Sequence, residues 1–405
     1  MKKVAIIGQG YVGLPLAVAS ASAGFKVVGF DLNPQIVEEL NKGKSHVEDI
    51  SDAVLQNLIG SGFYRASFEV SDLADCEIAI IAVPTPLSPE RLPDLSFVEM
   101  AAATLGMNLK REALIINEST SYPGTLRNVI APIVSENSSS RFEHLFAISP
   151  ERVDPGNQKW NIKTTPRLFS GLTPEASVAA RDFYSSFCDQ LIEVSSPEVA
   201  ESAKLFENTF RQVNIALVNE FALIMRGLDI PVHEVLDAAV SKPYGFMKFS
   251  PGIGVGGHCI PVDPSYLAYA ANLAGLEPRF IELANRVNLQ MPGRIVERVE
   301  MENGGSINGK SVLICGVAYK PNISDTRESP AEILFHELES RGAKVFWHDP
   351  LVPRWNGSEP SVLGSNKFDI TILTALHDVM NLDQIKGSAK YFFDCTGKVL
   401  GGNTL

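Results

Sequence analysis

The start of the chain constrains the fold most. Val4–Ile7 is an apolar, β-rich run that enters Gly8-Gln9-Gly10-Tyr11-Val12-Gly13, and a helix rich in small residues is expected over Tyr11–Ala23. In such a G-x-G-x-x-G turn the first glycine, Gly8, allows the tight turn. The second, Gly10, lets a pyrophosphate approach the backbone, and the third, Gly13, lets helix and strand pack closely. The helix N-terminus then faces the phosphates. Alone the motif is weak. Here the second strand, Lys26–Phe30, ends at Asp31, 18 residues after Gly13. A carboxylate at that place accepts hydrogen bonds from both ribose hydroxyls and repels a 2′-phosphate, so the pattern favours NAD over NADP.

The following residues keep alternating. Strands are expected at Glu77–Val83, Ala113–Asn117, Leu145–Ser149 and Arg167–Ser170, with helices at Phe97–Asn108, Gly124–Ile133 and Pro174–Phe187. Such alternation implies a parallel sheet with helices on both faces. The texture then changes. Pro197–Gly227 has no interior glycine or proline, and its apolar residues recur near a 3.6-residue period. It would make a helix of about 45 Å, a length suited to linking domains. Helices are expected next at Pro231–Val240, Asp263–Leu273 and Pro278–Glu302, then a linker at Asn303–Ser306. Alternation returns with strands at Ser311–Cys315, Lys344–Trp347, Asp369–Thr374 and Tyr391–Asp394 and a helix at Ala331–Arg341. The fold class is therefore α/β, with two α/β domains flanking a helical middle.

Composition narrows the function. At 45% hydrophobic and 20% charged residues the 405-residue chain is ordinary globular protein. No apolar run is long enough to span a bilayer, and the glycines at 8 and 10 cut short what would otherwise read as a signal peptide. No membrane association and a cytoplasmic location are expected. The formal charge of −12 argues against nucleic acid as a partner, because that affinity comes from cations on phosphates. The five cysteines are widely spaced with no CxxC, so neither a disulfide framework nor a metal site is expected.

One cysteine stands apart. Ser250-Pro251-Gly252-Ile253-Gly254-Val255-Gly256-Gly257-His258-Cys259 places a thiol after four glycines and just before an expected helix start. Thiolate is stabilised at such a place. Cys76, Cys188, Cys315 and Cys395 lie in or beside apolar segments and read as buried. A nicotinamide site together with a reactive thiol suits oxidation of an aldehyde held on sulfur to a thioester, which water can cleave. Glu151, in Ser149-Pro150-Glu151-Arg152 at a strand end, is placed to activate that water. Lys204 and Asn208 share a helix face at i,i+4 and suit an oxyanion, although from spacing alone a solvated helix surface is the better reading.

These motifs resemble the UDP-glucose/GDP-mannose dehydrogenase superfamily over nearly the whole chain. They are GQGYVGLPLA, VPTP at 83–86, STSYPGT at 119–125, SPERVDPG at 149–156, the Lys204/Asn208 helix, GVGGHCIPVDPSYL at 254–267 and GVAYKPNISDTRESPA at 316–331. The resemblance implies two Rossmann-like domains, NAD-binding over 1–195 and UDP-sugar-binding over 303–405. A central helical domain, 196–302, would join them, carry the cysteine loop and make a homodimer. It implies four-electron oxidation of a sugar CH₂OH by two NAD⁺. Cys259 then matches the nucleophile, Lys204 and Asn208 the oxyanion pair, and Asp263 the aspartate that orders water or assists alcohol deprotonation. Glu151 matches the hydrolytic base and Thr120 a threonine near the water. Cofactor contacts are expected from Gly8, Gly10, Tyr11, Val12, Gly13, Asp31, Thr85, Thr120 and Arg327. Substrate contacts are expected from Glu151, Arg152, Lys204, Phe246, Lys248, Gly256 and Lys320.

Two departures stand out. Ile36 occupies a place where some relatives carry an arginine toward the NAD phosphates, and His258 is followed by Ile-Pro rather than the serine-bearing version of animal UDP-glucose enzymes. KPYGFM, SPERVDPG and GGHCIPVDP are most similar to bacterial enzymes of UDP-N-acetylhexosamines, UDP-GlcNAc first and UDP-ManNAc next. A UDP-glucose enzyme, a two-electron dehydrogenase with a structural Cys259, and a silent NAD-binding module are the competing readings.

Overall fold

The computed structural model describes residues 2–139, 142–154, 157, 159–365, 367–399 and 403–404. The chain divides into two compact units, Met1–Glu207 with Ser265–Gly275, and Asn208–Pro264 with Leu276–Leu405.

The first unit carries β1 (Lys3–Ile7), α1 (Gly13–Ser22), β2 (Lys26–Phe30), α2 (Pro34–Asn41), α3 (Asp52–Gly60), β3 (Tyr64–Ser67), β4 (Ile78–Ile81) and α4 (Ser96–Asn108). There follow β5 (Leu114–Asn117), α5 (Ala131–Asn137), β6 (Leu145–Ile148), β7 (Arg167–Gly171), α6 (Pro174–Tyr184) and β8 (Leu191–Glu193). One sheet of eight strands runs in the order β3-β2-β1-β4-β5-β6-β7-β8. Its central strands are apolar on both faces, as a covered parallel sheet requires: Val4, Ala5, Ile6, Ile80 and Ile116 are fully buried. The order from β1 reverses direction toward β2 and β4, so the carboxyl ends of β1 and β4 flank the switch point where open sheets bind ligands.

Two features depart from the sequence expectation. The sheet is not wholly parallel: β7 runs antiparallel to β6, with Ile148 opposite Ser170. No crossover helix occurs among the described residues of 149–166, so the chain returns from the carboxyl edge instead of crossing over. The segment expected as a helix over Gly124–Ile133 is a π-turn, Leu126–Ile130, that gives way to α5 at Ala131, just before Pro132. Pro132 has no N–H for the carbonyl four residues back, so the regular ladder fails there.

α7 (Pro197–Gly227) has the bounds its composition suggests and carries residues of both units. The second unit continues with α8 (Val232–Val240), α9 (Asp263–Leu273), whose body from Ser265 belongs to the first unit, and α10 (Arg279–Glu302). After them come β9 (Ser311–Cys315), α11 (Pro330–Ser340), β10 (Lys344–His348), β11 (Phe368–Leu373), α12 (Leu382–Lys386), β12 (Ala389–Asp394) and β13 (Asn403–Thr404). This sheet is parallel throughout, in the order β10-β9-β11-β12-β13. Val312, Ile314, Ile370 and Phe393 form its core with Leu334 and Leu338 of α11. No helix among the described residues is long and apolar enough to cross a membrane.

Candidate active site

The glycines of the first turn do different work. Gly8 has φ +91°, and a Cβ there would lie 2.5 Å from the Ala82 carbonyl oxygen. A Cβ at Gly13 would lie 1.8 Å from the Gly8 oxygen, so helix and strand meet only because none is present. Gly10 differs, since a Cβ there would meet no atom of the described residues within 4 Å. Nothing inside the protein demands a glycine at 10, which is what a cradle left open for a ligand looks like. Tyr11 and Val12 are half-buried beside it. Gln9 turns inward, accepting from the Tyr64 hydroxyl at 2.9 Å. Asp31 accepts the N–H groups of Gln9 and Asn33, each at 2.9 Å, which fixes its carboxylate at the mouth of the turn. Thr85, beyond β4, is buried.

The Ser119–Thr125 loop, at the carboxyl side of β5, is tied to α7. Glu201 accepts from Ser121 Oγ (3.1 Å) and from the N–H groups of Gly124 (2.6 Å) and Leu126 (3.1 Å). Burial pushes the Glu201 carboxyl up to about 7 in spite of these donors. One turn along α7, Lys204 is buried and donates to Thr120 Oγ1 at 2.7 Å.

Glu151, at the end of β6, is clamped from two sides. Its Oε1 accepts the N–H groups of Arg152 and Val153, both at 2.7 Å, and its Oε2 accepts Arg167 Nη2 at 2.8 Å. Burial would raise its pKa, but Arg167 and the two N–H donors outweigh it and hold the carboxyl below its ordinary value. Arg167 also reaches Glu118 Oε1 at 2.8 Å and lies over the Tyr184 ring, 4.7 Å from its centroid. Arg152 pairs with Glu207, donating through Nε (2.9 Å) and Nη2 (2.6 Å), and also donates to the Pro166 carbonyl. Pro155 and Gly156 of the SPERVDPG motif lie outside the described residues.

The second unit holds the thiol. Cys259 is the exposed member of the five cysteines; Cys76, Cys188, Cys315 and Cys395 are buried. Burial pushes the Cys76 and Cys188 thiols up to about 11 and the other two further still. The Cys259 carbonyl accepts the N–H of Asp263 at 2.9 Å, which starts α9 one turn later. Asp263 Oδ2 accepts Asn208 Nδ2 at 2.7 Å. Lys204 and Asn208, neighbours on α7, are thus each engaged, one with Thr120 and the other with Asp263.

The glycine loop is packed more tightly than its composition suggests. A Cβ at Gly256 would lie 2.7 Å from Tyr319 Cβ and 2.8 Å from Pro330, and one at Gly257 would strike the Tyr319 ring at 2.8 Å. A Cβ at Gly254 would lie 2.8 Å from the Asn288 oxygen, the carbonyl that Pro292 leaves without its helical donor. Asn219 Oδ1 accepts the Gly252 N–H at 2.8 Å, and Asn219 Nδ2 donates to Asn288 Oδ1 at 3.1 Å. These glycines therefore make room for protein as well as offering backbone. Phe246 is exposed, and Lys248 beside it pairs with Asp237. Lys320 is half-buried, and Arg327 donates to both oxygens of Asp325. Among the described residues no group of His, Cys, Asp and Glu is arranged to hold a metal ion.

Residues missed from sequence are Glu118, Arg167 and Tyr184 around Glu151, Glu201 beside Lys204, and Asn219 and Asn288 under the thiol loop. Only the absence of a helical pattern over 149–166 signalled that β7 turns back and brings Arg167 to the carboxyl edge.

Family models match this chain in order: the UDP-glucose/GDP-mannose dehydrogenase NAD binding domain over 2–188, its central domain over 198–290 and its UDP binding domain over 313–397. The chain belongs to the UDP-glucose/GDP-mannose dehydrogenase family. It is an NAD-dependent nucleotide-sugar dehydrogenase, as its motifs suggest. It is 36% identical over 356 residues to a UDP-N-acetyl-D-glucosamine 6-dehydrogenase of Pseudomonas aeruginosa, covering 86% of this chain and 83% of that one. It is 35% identical to a UDP-N-acetyl-D-glucosamine 6-dehydrogenase of Salmonella typhi, over 96% and 93% of the two chains. The solved UDP-D-ManNAc dehydrogenase of Pyrococcus horikoshii matches with a TM-score of 0.89 at 31% identity, over 99% of this chain and 98% of that one. The open side of Gly10 and the fixed Asp31 carboxylate fit the NAD that the family's first domain binds.

Proposed function

We propose that the chain oxidises the C6 hydroxymethyl of a UDP-N-acetylhexosamine, UDP-GlcNAc ahead of UDP-ManNAc, to the uronic acid. The observation that carries the reading is the Cys259 thiol, exposed while four other thiols are buried, with Asp263 following one turn on. When bound, NAD⁺ would supply a hydride acceptor for each of the two oxidations, with NADH leaving and a second NAD⁺ entering between them. In the first, Asp263 and Lys204 draw the hydroxyl proton away through water, and the CH₂OH becomes an aldehyde. The Cys259 thiolate adds to that carbonyl, and the C–S bond holds the aldehyde so that the second oxidation is effectively unimolecular. Lys204 and Asn208 stabilise the oxygen anion of the adduct. Loss of the second hydride leaves a thioester. Water oriented by Glu151, with Thr120 nearby, adds to its carbonyl, the C–S bond breaks, and the acid leaves as the thiol is restored.

Substrate choice rests on the relatives' own substrates and on the KPYGFM segment, with Phe246, Lys248, Arg152, Gly256 and Lys320 gripping the UDP-sugar and Arg327 the cofactor. The same reading divides the chain at 195 and 302, puts it in the cytoplasm and makes it a homodimer through the central helices.

NADH release from UDP-GlcNAc, UDP-ManNAc, UDP-glucose and GDP-mannose at equal concentration tests the reading. Two NADH per sugar with UDP-GlcNAc fastest is expected. One NADH per sugar would refute the thioester route, and a preference for UDP-glucose would refute the substrate. Cys259→Ser should cut net turnover at least about 10³-fold, and full NADH yield from that variant would overturn nucleophilic catalysis.

A further inference from the structure

Glu151 does not stand alone, and the groups around it come from three strands and a helix of the first unit. Because β7 is reversed, its first residue, Arg167, lies at the carboxyl edge of β5 and β6, where Glu118 and Glu151 follow their strands. The Arg167 side chain is 4% exposed, and its fork spans the two carboxylates at 2.8 Å each, with Ser149 Oγ at 3.2 Å. The Tyr184 hydroxyl, at the end of α6, donates to the same oxygen of Glu118. Glu118 Oε2 is buried without a hydrogen-bond partner among the described residues, so charge on Glu118 is poorly supported and burial pushes its pKa up to about 7. One cation thus bridges two acids, and of the two only Glu151 has both oxygens hydrogen-bonded among the described residues.

We infer that Arg167 is the positioning residue of the hydrolytic step, keeping Glu151 a carboxylate of fixed orientation toward the attacking water, while Glu118 and Tyr184 hold Arg167 in place. The inference rests on the role given to Glu151 above. A carboxylate held this way is a weak base. Its contribution is to accept the hydrogen bond of one water and aim its lone pair at the thioester carbonyl.

The charged groups facing Glu151 are Arg167 on β7, Lys204 on α7 and, across Arg167, Glu118 after β5, while the Arg152 guanidinium is taken by Glu207. Without Arg167 the dominant remaining influence is burial, which favours the neutral acid. The Glu151 pKa would then rise, and lowering the pH would more readily turn the carboxylate into a neutral acid, a poorer acceptor for the water. Raising the pH would restore the carboxylate.

The test uses the full-length enzyme and a single turnover of UDP-GlcNAc, with Cys259 acylation followed by mass spectrometry from pH 6 to 9. Arg167→Gln leaves Glu118 buried without its cation, so Glu118→Gln/Arg167→Gln is made beside it, with Arg167→Lys as the conservative change. The expected result is an acyl-enzyme that persists about 100-fold longer at pH 7 in the glutamine variants. The formation rate should be unchanged within about threefold, hydrolysis should recover as pH rises, and the lysine variant should be partly rescued. Wild-type lifetimes in the Arg167 variants overturn the inference, as does slow hydrolysis indifferent to pH, which marks structural damage. Glu151→Gln separates the two claims. If it too leaves the lifetime unchanged, the role of Glu151 has failed; if it alone prolongs the acyl-enzyme, only the role of Arg167 has.

Discussion

At the scale of the residue, spacing alone does not tell one glycine from another. Gly8, Gly10 and Gly13 form one motif, yet two are demanded by the protein's own backbone and one faces open space. Two alanine substitutions should therefore part company. Gly10→Ala should leave Tm within about 1 °C and weaken NADH binding about tenfold or more. Gly13→Ala should lower Tm by about 5–10 °C, because its methyl has nowhere to go. Calorimetry and thermal melts read both, and wild-type NADH affinity in Gly10→Ala would remove Gly10 from the pyrophosphate site.

Buried acids supply a second residue-scale test. Glu118 and Glu201 are both pushed up to about 7 by burial, above the ordinary carboxyl value they have when unfolded. Their stabilising contribution is thus present in acid and is lost as pH rises through about 7. Wild-type Tm should carry this decline between pH 5 and 7.5. Glu201→Gln should flatten it by about 3–6 °C, measured at constant ionic strength. A slope identical to wild type would show that Glu201 does not titrate in that range. Neither acid was legible beforehand, since Glu201 reads as one more charge on a helix and Glu118 as the polar end of a strand.

At the scale of the element, much was legible where local chemistry decides. The helices expected at Pro174 and Ala331 begin at Pro174 and Pro330, where Thr173 and Ser329 cap them by accepting N–H groups, whereas α2, capped by Asn33 before Pro34, was not foreseen. The bounds of α7 and α9 follow from composition and from Asp263. Short strands such as β3 and β8 escaped because they carry little apolar signal, and β7 escaped in direction because direction depends on the path of the chain, not on the strand. The loop before Cys259 yields the element-scale prediction. Gly256→Ala should drive a methyl into Tyr319 and Pro330 and shift the segment that carries the thiol. We expect kcat to fall about 100-fold, with a changed iodoacetamide rate at Cys259 and little change in NADH affinity. An active Gly256→Ala enzyme would mean that the loop yields without moving the sulfur.

At the scale of the whole molecule, charge and surface matter. A chain of formal charge −12 handles two anions, a dinucleotide and a UDP-sugar, so its local cations must be arranged with care. Arg152, Arg167, Lys248 and Arg327 each have a carboxylate against them. Phe206 and Leu217 on α7, and Phe280 and Leu283 on α10, expose apolar side chains. The proposed homodimer would cover apolar side chains of this kind, and sedimentation equilibrium should return twice the chain mass. A single-chain mass across the micromolar range would rule the homodimer out.

The crowding around Gly254, Gly256 and Gly257 has a practical consequence for anyone who would redirect this enzyme to another sugar. Saturation libraries at those three codons would yield mainly misassembled protein, because Tyr319, Pro330 and the Asn288 carbonyl already occupy the space a new side chain would need. Diversity is better spent at Phe246 and Met247, which are solvent-facing and free of that constraint.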